Sequence, residues 1–101
     1  MVTYKLPVNL FFTVTFMVMN TEIIIEERKK FGKHILELRK RIKSSDYPDR
    51  AISQQELSDR SESLSKKTIG EIERGETNPS FDTLFVLAKV LNVSLKELFN
   101  Y

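Results

Sequence analysis

The stretch from Ser53 to Ser80, SQQELSDRSESLSKKTIGEIERGETNPS, leaves this chain the fewest options. Ser53 followed three residues later by Glu56 is the pattern of a capping box, in which the hydroxyl accepts an amide of the first turn and the carboxylate reaches back to the cap. Leu57 anchors the short helix that follows. The polar run Ser61-Glu62-Ser63 ends it, Leu64 returns to the interior, and Ser65 caps a second helix. In that second helix Ile69 and Ile72 share the inward face, while Lys66, Lys67, Gly70 and Glu71 face out. Gly75 is a stop signal, and Asn78-Pro79-Ser80 is a turn whose last residue caps the next helix.

Two short helices in such close succession, the second with a polar outer face and two lysines in its first turn, read as a helix-turn-helix. SQQEL, TIGEIERG and NPSFDTLFVLAKVLNVSLKELF resemble the phage-repressor helix-turn-helix family (Cro/cI-like, XRE-type), and the resemblance runs from about Phe31 to Phe99. It implies an all-α, five-helix, lambda-repressor-like domain that lays the second motif helix, residues 65–74, in the major groove of double-stranded DNA. It assigns Lys66, Lys67, Gly70 and Glu71 to base-facing positions and Ser53 and Gln54 to contacts with the sugar-phosphate backbone. It also implies a buried ion pair between Arg39 and Glu73. The chemistry is consistent with those roles: lysine donates to the guanine O6/N7 edge and a carboxylate accepts from cytosine N4. Ser65 and Thr68 supply hydroxyls at the helix start for phosphate.

The sequence departs from the family in two places. The usual glycine of the turn is missing and Glu62-Ser63 makes the junction one residue longer, which leaves the entry angle of the second helix open. Gly70 stands mid-helix, where glycine costs about 1 kcal/mol relative to alanine. Either the helix backbone approaches a groove wall closely there, or the position is exposed and has drifted.

Other function classes find little support. The chain has no cysteine, which excludes a disulfide scaffold and a cysteine-ligated zinc site. With one histidine, His34, and no paired acids framed by a glycine-rich loop, nothing activates a nucleophile or holds a metal, so neither an enzyme nor a cofactor is expected. Net charge is only +2, but it is unevenly spread: Glu26–Lys43 carries eight basic and three acidic residues, Ser44–Gly75 five and seven. A basic first helix on a slightly acidic body predicts moderate DNA affinity per monomer.

Residues 1–20, MVTYKLPVNLFFTVTFMVMN, do not match the rest. Lys5 and the apolar run Leu10–Met19 imitate a secretory signal, but no Ala-x-Ala cleavage site follows and the run is short for a bilayer. Alternating Val, Thr and Phe would allow an edge strand or an oligomerisation arm. The preferred reading is a leader with no selected fold, either disordered or a translated upstream stretch with the natural start at Met17 or Met19. The domain then occupies residues 21–101.

Within it, a first helix is expected from Glu22 or Glu26 to Ile42, with Phe31, Ile35, Leu38 and Ile42 as its apolar stripe. The connection to Ser53 is about eight residues longer than the family's usual one, with a turn at Tyr47-Pro48-Asp49 and Ile52 as hydrophobic staple; it reads as a tolerated insertion, with a DNA contact through Arg50 as the other possibility. Leu84, Leu87, Ala88 and Leu91 give a fourth helix. Ser94 with Glu97 reads as a second capping box opening a fifth, with Leu95, Leu98 and Phe99 inward. Phe85, Val86, Phe99 and Tyr101 are the apolar surplus available for a homodimer. The function expected is cytoplasmic, sequence-specific DNA binding by a transcriptional regulator, most simply a repressor, with no membrane role. The alternative is a protein-interaction module that has kept the fold, such as an antitoxin bound to a protein partner.

Overall fold

The computed structural model describes residues 6–101, which form five helices: α1 (Leu6–Lys40), α2 (Gln54–Ser58), α3 (Lys66–Glu73), α4 (Phe81–Leu91) and α5 (Leu95–Leu98). Four of them begin where a serine sits. Ser53, Ser65, Ser80 and Ser94 each hold extended backbone and accept, through the hydroxyl, an amide of the first turn. Among the described residues the one departure from helix and loop is a single antiparallel bridge, Lys43 to Ala51.

α1 is longer than its apolar stripe requires. It runs back to Leu6 instead of starting at Glu22 or Glu26, so the boundary drawn at residue 20 falls inside it, and it stops at Lys40, short of Ile42. Residues 6–20 are helical where alternation also allowed an edge strand. A strand needs a neighbour to take its amides, whereas a helix pairs them within itself. Along this projecting part Leu10, Phe12, Met17 and Ile23 are all more than half exposed. Met1–Lys5 lie outside the described residues.

The core starts at Ile35. It comprises Ile35 and Leu38 of α1, Ile52, Leu57, Leu64, Ile69 and Ile72, then Leu87, Ala88, Val90, Leu91 and Leu98, with Phe31, Ile42 and Leu84 at its edge. α1 packs on α3, α2 on α3 and α4, and α4 on α5. The α1–α3 crossing is close because Gly32 leaves no side chain between the backbones. A Cβ there would fall within contact distance of the carbonyl oxygens of Ile72 and Glu73. Gly75, at φ +72°, turns the chain away against the backbone of Lys29.

Two expectations at the C-terminus need correction. Ser94 accepts the Glu97 amide, but the Glu97 carboxylate does not return to Ser94; it meets Arg41 at 3.4 Å, so the capping box is half formed. Phe99 is half exposed, because it stacks on Phe31 of α1 (centroids 5.2 Å apart) outside the core. Tyr101 donates its hydroxyl to Glu27 (2.9 Å), and His34 Nε2 donates to the Glu97 carbonyl (2.9 Å). Thus α1 and the last residues are tied together along one side. Between them lies an open apolar groove of about 450 Å³, lined by Ile23, Phe31, Leu84, Phe99 and Tyr101 among others.

Candidate nucleic-acid interface

The long connection before α2 is a built hairpin. Ser44 N donates to the Arg50 carbonyl (3.0 Å), Ile52 N to the Ile42 carbonyl (2.7 Å), and Arg50 N closes the Tyr47 turn (2.9 Å). Buried Ser44 holds it from within: its hydroxyl accepts the amides of Asp46 and Tyr47 and donates to Glu56 Oε2 at 2.5 Å. The other oxygen of Glu56 takes the Ser53 amide at 3.1 Å and completes the capping box. The Ser44 hydroxyl first, and then the Ser53 amide, hold the Glu56 carboxyl below its ordinary pKa. At the surface the Arg50 guanidinium lies over the Tyr47 ring, 4.6 Å from its centroid.

α3 is set by its two ends. Ser65 accepts the Thr68 amide, and the Ser65 and Thr68 hydroxyls are 2.9 Å apart. At the other end Glu76 N bonds the Glu71 carbonyl (2.8 Å) and Gly75 N the Ile72 carbonyl (3.0 Å), the paired bonds of a Schellman stop. Glu73, in the last turn, joins three elements. Arg39 reaches it with Nε and Nη2 at 2.7 and 3.0 Å, and Arg39 Nη1 continues to the Ile52 carbonyl at 2.8 Å. Gln54 Nε2 donates to Glu73 Oε1 at 2.8 Å. Glu73 therefore ties the end of α3 to α1 through a bidentate pair and to α2 through an amide.

The outer face of α3 carries Lys66 and Lys67, both exposed and, among the described residues, without an ion-pair partner. Glu71 is half-buried beside them. Gly70 does not face out as its spacing suggested: it is buried, because the Arg74 side chain folds back over it and Gln54 flanks it. Ser53 and Ser65 are exposed and spend one acceptor each on their own caps. Gln54 is half-buried and spends one amide hydrogen on Glu73. Arg74 is the residue that sequence reasoning passed over. The signal for it was the four-residue interval from Gly70 to Arg74, which puts both on one face.

Among the described residues no group of His, Cys, Asp or Glu could hold a metal, and no helix is long and apolar enough to cross a membrane. No buried side-chain polar atom among them lacks a partner. A capped helix with free cations on its outer face, buttressed from behind, is chemically suited to an anionic polymer with acceptor-rich edges.

Residues 49–98 match the helix-turn-helix family model. Among solved structures the chain is similar to the restriction-modification controller protein C.AhdI from Aeromonas hydrophila, with 29% sequence identity and a TM-score of 0.56, over 74% of this chain and 96% of that one. No curated protein matches the chain. Residues 49–98 are thus a helix-turn-helix domain of the XRE type, a family of sequence-specific DNA-binding transcription regulators.

Proposed function

We propose that this protein is a cytoplasmic transcriptional repressor that binds its operator as a dimer, with α3 in the major groove and no chemical step. Lys66 and Lys67 donate to base acceptors, and Glu71 accepts from a cytosine amine beside them. Ser53, Gln54, Ser65 and Thr68 hold the phosphates on either side and set the register. Repression follows from occupancy, because a protein seated on the duplex excludes polymerase. The observation that carries this reading is the pair of exposed lysines on the outer face of α3 that have no ion-pair partner among the described residues. Neither has to break an ion pair in order to reach DNA. One recognition helix covers too few base pairs to address a genome, and two-fold pairing sets half-sites about 34 Å apart. Phe85, Val86, Phe99 and Tyr101 are the surface proposed for that pairing.

The test begins by selecting bound duplexes from a random pool. Replacing Lys66 or Lys67 with alanine should then cost about 1–3 kcal/mol on the selected site and relax base preference at one position per half-site. Arg50→Ala, in the hairpin, should weaken selected and random duplexes alike or change nothing. Equal losses on selected and random DNA for Lys67→Ala would move that lysine from bases to phosphate.

A further inference from the structure

We propose that Arg74 reads a guanine, and that position 70 is glycine because it is the seat of the Arg74 guanidinium. This rests on the DNA-binding reading above. Helical side chains lean toward the N-terminus, so a residue at the end of α3 covers the turn before its own Cα. Arg74 does this over Gly70. A Cβ at position 70 would stand 2.9 Å from Arg74 Nη1, 3.6 Å from its Cζ and 3.4 Å from Gln54 Oε1. The guanidinium therefore occupies the space that a side chain at position 70 would claim. Glycine is a poor helix former, and an exposed site with no role would favour almost any other residue.

The orientation of the guanidinium is also fixed. Arg74 Nε donates to Glu76 Oε1 at 2.8 Å, and Glu76 is itself held by the bond from its amide to the Glu71 carbonyl. On its other flank Gln54 is tied to Glu73. With Nε engaged, the terminal Nη1/Nη2 edge is left, and that end-on fork matches guanine O6 and N7. The side chain stays 56% exposed, so the edge is accessible. Glu76 offsets the charge of Arg74 at short range, which weakens it as a point attractor for phosphate while it remains oriented as a planar fork.

The experiment uses the full chain and the duplexes it selects from a random pool. Arg74→Ala is expected to lose tenfold or more on the selected site, and its own selection should lack one guanine per half-site. Arg74→Lys keeps the charge without the fork and should lose the same guanine with an unchanged salt slope. Gly70→Ala should leave the denaturant midpoint equal or higher, since the far end of a flexible side chain can yield, yet it should weaken selected DNA. In the Arg74→Ala background Gly70→Ala should change affinity less than twofold. Additive losses from the two substitutions would overturn the seat. A loss in Arg74→Ala that is equal on random DNA, with the salt slope reduced by about one, would make Arg74 a phosphate contact and overturn base reading. A wild-type protein that selects no sequence, with Lys66→Ala equally without effect, would overturn the DNA-binding reading and this inference together.

Discussion

Glu73 receives Arg39 through two nitrogens and Gln54 through a third, with its side chain only 5% exposed. Such a pair does more for geometry than for net stability, because desolvating both charges offsets much of their attraction. Removing one partner is another matter, since the other is left charged and enclosed. Glu73→Ala is expected to lower stability by about 3 kcal/mol, read from the denaturant midpoint. An unchanged midpoint would mean that Arg39 finds water without cost. Glu56 makes a prediction of a different kind. Its folded pKa is held down, so its contribution is present above the unfolded pKa and lost as pH falls through the folded one. The Ser44 hydroxyl is the main cause, so Ser44→Ala should lessen the loss of stability on the acid side. Urea midpoints taken from about pH 7 down to about pH 3 would show it as curves that converge toward low pH. Parallel curves would detach Ser44 from the titration.

At the scale of elements, the fold turns on the contact between α1 and the end of α3. Gly32 and Gly75 let the two backbones meet there, and the Arg39–Glu73 pair locks the contact about two turns further along α1. Gly32→Ala gains helix propensity but places a methyl against the Ile72 and Glu73 carbonyls, which belong to a helix and cannot yield as a side chain tip can. The expected net loss is about 1–3 kcal/mol in a denaturant titration, the range of overpacking. A gain in stability would show that α1 can slide. Sequence made the starts of α2, α3, α4 and α5 legible, because a serine cap is a local signal that needs nothing from the rest of the chain. It did not reveal Gly32, whose reason lies forty residues away in the backbone of α3. Nor did it show that the connection before α2 is a latched hairpin, since Ser44 and Glu56 are twelve residues apart and meet only once both ends are folded. At the candidate interface the outward placing of the α3 lysines was legible from spacing, and their proposed role from the family resemblance. The cover of Arg74 over Gly70 was not, because side-chain direction adds a turn that a count of positions does not contain.

For the whole molecule, the question is what the projecting half of α1 contributes. Among the described residues the buried core begins at Ile35, with Phe31 at its edge, so the described part of α1 before about residue 22 adds little to it. The proposed pairing of two copies could use either that arm or the apolar side where α1 meets the C-terminus. The groove separates the two possibilities, because its first lining residue is Ile23. Deleting residues 1–18 removes Leu10, Phe12, Met17 and their neighbours and leaves the groove whole. The shortened chain is expected to keep its denaturant midpoint and still to bind a palindromic site as two protomers. Phe85→Asp, on the half-exposed face of α4, should abolish that pairing while a single half-site still binds, because the substituted residue stands outside the core. Protomers should be counted on the operator as well as in solution, since a weak dimer forms on DNA first. If the shortened chain binds only as a monomer and the Phe85 variant pairs normally, the arm carries the contact and the apolar side near the C-terminus is a wide edge of the core. The assignment to the C-terminal side rests on rigidity. Phe99 and Tyr101 are already braced against Phe31 and Glu27, so an association through them orders little that is not ordered beforehand.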